Sequence, residues 1–113
     1  MRKLMCTTAE HIILTENEHG QVSWCKVCKS YSIIFNTCCL SFTHYEMVEF
    51  KNMLGQLDRP DFTYEFNGKS HAIIQNSTAY MGLCLTHRQT ESLKSMIHEA
   101  LAVNEVFSII YNP

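Results

Sequence analysis

The residues of this chain best suited to do chemistry are Cys25 and Cys28, separated by Lys26 and Val27. Two thiolates at this spacing on a tight turn can hold one tetrahedral Zn2+ at about 2.3 Å. A closed structural site takes four ligands, so two more are needed. The nearest candidates are Cys6 and His19, with His11 as the substitute, all upstream of the pair. Zinc held there would pin an N-terminal arm that has little apolar sequence of its own. A single Cys-x-x-Cys is a weaker metal pattern than two matched pairs. The same pair supports a second reading, a thiol-based redox or metal sensor in which Lys26 and Lys29 favour the Cys25 thiolate. Redox pairs of this spacing sit at a helix N-terminus, whereas here a strand pattern follows, Ser30 to Phe35.

Other reactive side chains assemble nothing. Cys38 alternates with Leu40 and Phe42 and reads as a small core hydrophobe, while Cys39 and Cys84 fall on the opposite strand face. His44 and His87 each open a helix, His71 reads as a sheet-surface residue, and His98 sits on the second helix. There is no Gly-rich phosphate loop, no His-Glu-x-x-His and no nucleophile elbow. No catalytic residue is assigned, and the chain reads as a non-enzyme.

The elements that must position the cysteines follow from a pattern written twice. Lys29-Ser30-Tyr31-Ser32-Ile33-Ile34-Phe35-Asn36 returns as Lys69-Ser70-His71-Ala72-Ile73-Ile74-Gln75-Asn76. After a slip of three residues, Leu40-Ser41-Phe42-Thr43-His44 returns as Leu83-Cys84-Leu85-Thr86-His87. Each copy reads as a hairpin, a third strand and a helix. Asn67-Gly68 supplies the positive φ angles of a type I′ turn between Phe62–Phe66 and Lys69–Gln75. Aligned on it, Cys28 falls on Gly68, so the cysteine pair is expected at a hairpin tip.

Thr43 stands three residues before Glu46, and Thr86 three before Gln89, two capping boxes that open helices. Met47, Phe50, Met53, Leu54 and Leu57 share a face of the first helix; Leu93, Met96, Ile97, Ala100 and Leu101 share one of the second. The expected fold is α+β: one antiparallel sheet with both helices on one face, related by a pseudo-twofold axis. Within a single domain over 1–113, the parts are an arm (1–20), repeats over 21–57 and 62–101, and a closing strand over 106–111.

A chain of 113 residues can bury a core without disulfides. Its net charge of −2 argues against a nucleic-acid-binding surface, and no apolar run is long enough to cross a bilayer. The opening Met1–Cys6 has no signal-peptide pattern, so six cysteines are expected as reduced thiols or metal ligands in the cytoplasm. A second sheet face with Ser41, Cys39, Cys84, Tyr80 and Tyr31 is expected to meet a protein partner or a second copy of the chain as a homodimer.

With these residues in view, the chain resembles a family of small uncharacterised bacterial proteins, a domain of unknown function. The resemblance rests on His19-Gly20, Cys25 to Cys28, Ile33-Ile34-Phe35-Asn36, Leu40-Ser41-Phe42-Thr43 and the segment from Leu83 to Ala100. Asn36 departs from the family pattern, where Gly would follow the Phe. The resemblance implies no established activity.

Overall fold

A computed structural model describes residues 11–56, 62–74 and 82–111. Four strands come first: β1 (His11–Asn17), β2 (Gly20–Cys25), β3 (Ser30–Phe35) and β4 (Cys38–Thr43). Helix α1 (His44–Gly55) follows, then β5 (Tyr64–Phe66), β6 (Lys69–Ile74), β7 (Leu83–Thr86) and helix α2 (His87–Tyr111). The architecture is α+β, as expected, but the strands form two antiparallel sheets, ordered β1-β2-β3-β4 and β5-β6-β7. Helix α2 packs against β1 and β2 of one sheet and β6 and β7 of the other, and α1 lies on β3, β4 and α2.

Local chemistry explains the boundaries. Thr43 Oγ1 accepts from the Glu46 N–H at 3.2 Å, and Glu46 Oε1 accepts from the Thr43 N–H at 2.9 Å. Thr86 and Gln89 repeat the exchange at 3.2 and 3.0 Å. Two orphan backbone donors are satisfied at each helix start, which stops the preceding strand sharply. Asn67 and Gly68 take φ of 54° and 75° and close the β5–β6 hairpin. Asn36, at φ 55°, does the same between Phe35 and Cys38, so asparagine fills the left-handed position where Gly was expected.

Tyr31, Ile33 and Phe35 of β3 point to the helices with Val22 of β2, and all four are fully buried or nearly so. Met47, Phe50 and Leu54 of α1 and Leu93, Met96, Ile97 and Ala100 of α2 close over them, joined by Ile74 and Leu85 from the second sheet. Burying each large side chain here contributes about 1.5–3 kcal/mol. Leu14 reaches the same core at a break in the β1–β2 register between Ile13 and Thr15.

Several expectations are corrected. The segment 106–111 is the end of α2 and not a strand. Val103 and Phe107 continue the core-facing spacing of Ala100, and no Gly or Pro interrupts the run, so the helix goes on. Tyr31 lies in the core and not on the second face. Cys38 is exposed, because it begins the edge strand β4 just after the Asn36 turn. His71 is buried, with Nδ1 2.9 Å from the Lys69 carbonyl oxygen.

The order strand-strand-strand-helix occurs twice, but the two halves do not share a register. Tyr31 pairs with Phe42, whereas the aligned His71 pairs with Thr86, one residue beyond Leu85. A shift of one residue turns every side chain of a strand to the other face. Ile33 is therefore core, while its counterpart Ile73 is 49% exposed, and Ala72 and Ile74 face inward instead.

Candidate functional site

Strand β2 delivers Cys25 to the end of the four-stranded sheet, and β3 leaves from Ser30, its partner across the hairpin. The four residues between them turn tightly. Lys29, at φ 57°, donates its N–H to the Cys25 carbonyl at 2.9 Å. The Cys28 N–H donates to Cys25 Sγ at 3.3 Å. That contact folds the Cys28 backbone back over the Cys25 sulfur and holds the two cysteines on one tight turn. Cys25 is 2% exposed and Cys28 half-buried, so one thiol is walled in and its neighbour reaches the surface.

His11 stands directly across from Cys25 on β1. A cross-strand pair sends both side chains from the same face of a sheet. That face is turned away from the helices, since the next residues along, Ile12 and Trp24, pack against the core.

His19 is at the other end of β2, about 20 Å from Cys25 at 3.3 Å per residue. Its ring stacks on Phe35 at 5.6 Å, and its Nδ1 lies 2.9 Å from Ser92 Oγ on α2. Asn17 donates to the same hydroxyl at 3.0 Å and accepts from the His19 N–H at 2.8 Å. His19 thus docks the β1–β2 turn on α2 and does not meet the cysteine pair. Cys6 lies outside the described residues, as does Tyr80. Among the described residues no three His, Cys, Asp or Glu side chains converge as a metal site.

A second polar cluster lies on the helix side of the same hairpin and escaped sequence reasoning. The Tyr31 phenol accepts from Asn104 Nδ2 at 2.9 Å and lies 3.1 Å from His44 Nδ1. In its Nε2–H tautomer, His44 accepts the phenolic hydrogen. Trp24 packs edge-on against Tyr31 with ring centroids 4.7 Å apart. Burial raises the Tyr31 pKa, opposed by the Asn104 hydrogen bond, so the phenol is held in its neutral, donating form. The cue available in sequence was a tyrosine at an inward position of β3, whose hydroxyl must find a partner when buried.

His87 lies edge-on to Phe62 at 5.1 Å, and Cys39 and Cys84 are exposed. No helix of the described residues is long and apolar enough to cross a membrane.

Fold and site together define a small two-sheet α+β domain with a Cys-x-x-Cys hairpin tip. The chain belongs to a family of unknown function, DUF6686, whose model matches residues 5–110. No curated protein and no solved structure matches it.

Proposed function

We propose that this chain is a non-enzymatic binding module of the reducing cytoplasm, with a structural Zn2+ at the β2–β3 tip. The observation that carries the reading is the Cys28 N–H directed at Cys25 Sγ within a four-residue turn. Cys25 and Cys28 would supply two ligands. His11, paired across from Cys25, is nearer the pair than His19 and would have to close on it to serve as the third, since the three side chains do not converge as they stand, and Cys6, upstream of β1, is the candidate for the fourth. Metal at this point would tie the segment before β1 to the hairpin, as structural zinc does in small domains. The burial of Cys25 and the strand after Cys28 favour this reading over a solvent-facing thiol sensor.

Exposed Tyr64, Phe66 and Ile73 on the three-stranded sheet support a protein partner or a second copy as what the module binds. The test is elemental analysis of the whole chain, purified without chelator or His-tag, beside Cys25→Ser. One zinc per chain, lost with a lowered Tm in the variant, supports the site. Metal-free protein of unchanged Tm in both forms rejects it. Light scattering then tells a dimer from a monomer that needs a different partner.

A further inference from the structure

We propose that the cleft between the β2–β3 tip and the last turns of α2 binds a planar aromatic anion, with its ring on Trp24 and its acid group held by Lys26 and Lys29. The cleft has a volume of about 590 Å3 and is lined in part by these three residues and Asn104. That volume lies within the range of small-molecule sites, roughly 300–1,000 Å3. A neighbouring cleft of about 680 Å3 shares Trp24 and Asn104 and adds His44 and Lys51. The indole therefore borders both hollows.

Charge selects the ligand. The chain as a whole carries a net −2, yet three lysines gather about Trp24 and the only carboxylate among the described lining residues is Glu105. Lys26, Lys29 and Lys51 form no ion pair among the described residues. An ammonium left without a protein partner is a ready counter-ion for phosphate, carboxylate or sulfonate. The indole, half-buried, offers an aromatic surface for stacking.

The floor is set before any ligand arrives. Trp24 rests on Tyr31, and Tyr31 is fixed from two sides by Asn104 and His44. Binding then orders little of the protein beyond the lysine side chains, which lowers its entropic cost. This inference is independent of metal at the cysteines.

Trp24 is the only tryptophan in the chain, so its indole N–H is a single reporter in a 1H–15N spectrum. The probe is 2-naphthyl phosphate, compared with 2-naphthol and with inorganic phosphate. The expected result is a saturable shift of the Trp24 indole resonance by the ester, with each of the two fragments binding at least about tenfold more weakly. The double variant Lys26→Ala/Lys29→Ala alters two exposed side chains, keeps the folded spectrum, and weakens the ester roughly tenfold or more. An indole that does not move, a variant that binds as tightly, or 2-naphthol binding as well as its phosphate would each overturn the proposal.

Discussion

Asn104 Nδ2 lies 2.9 Å from the Tyr31 phenolic oxygen, across 73 positions of sequence. The bond ties the far half of α2 to the middle of the four-stranded sheet, at a point where Tyr31 is wholly buried. Tyr31→Phe leaves Asn104 and His44 each short of a partner and is expected to cost about 1–2 kcal/mol in urea unfolding. Asn104→Ala should cost about 1 kcal/mol. Both substitutions remove the same bond, so the double variant should cost less than the sum of the two. Strict additivity would show that the bond does not form in solution.

Alkaline stability follows from the same phenol. Burial holds the Tyr31 pKa above its ordinary value of 10.0. The unfolded chain therefore ionises first, and the stabilisation, complete below about pH 10, is lost as pH rises through the folded value. Tyr45 is also raised, by its hydrogen bond to Glu49 and that carboxylate's charge, but it stands at the surface. Equilibrium unfolding from pH 8 to 11 should show a falling stability that is flattened in Tyr31→Phe. An equally steep fall in the variant would assign the effect to other groups.

Close packing of backbone makes Gly20 the least replaceable turn residue. A Cβ there would stand 1.7 Å from the Ile34 carbonyl oxygen on β3. Gly20→Ala is expected to destabilise by roughly 2–4 kcal/mol, because backbone, not a side-chain tip, must move. Asn36, by contrast, should accept Gly with little change, while Asn36→Val at φ 55° should cost about 1–2 kcal/mol. Thermal melts of the three variants check the ranking.

The two candidate histidines separate cleanly. His19→Ala loses the Ser92 contact and the Phe35 stack and should cost about 1–2 kcal/mol, with any bound zinc retained. His11→Ala should lower zinc occupancy while disturbing the β1–β2 turn little. Elemental analysis and melting of both variants read this out, and zinc lost from His19→Ala alone would reverse the assignment.

Much of the fold was legible in the chain because it rests on neighbours in sequence. The Thr43–Glu46 and Thr86–Gln89 boxes, the Asn67-Gly68 turn and the apolar faces of both helices involve residues within a turn or two of each other. The Cys-x-x-Cys tip was legible for the same reason. Less so was the end of α2, where Val106, Ile109 and Ile110 have the composition of a strand. They are exposed, and the helix is carried past them by Val103 and Phe107 on its buried side. The placement of His19 was misread because sequence proximity to Cys25 becomes the length of a strand once β2 is extended.

The residues alone fix the local units: a hairpin in each copy, two capped helices and a pair of thiols on a tight turn. How the strands group and which way they face depends on packing between residues far apart in the chain. The aligned segments around Tyr31 and His71 are nearly alike, yet β6 meets β7 one residue out of step with the way β3 meets β4. Strand alternation has a period of two, so that single step puts Tyr31 and Ile33 inside while Ile73 faces out. Helix α2 packs on both sheets, and its Asn104 meets Tyr31 and, through it, His44 beneath Trp24, contacts that no local pattern of residues encodes.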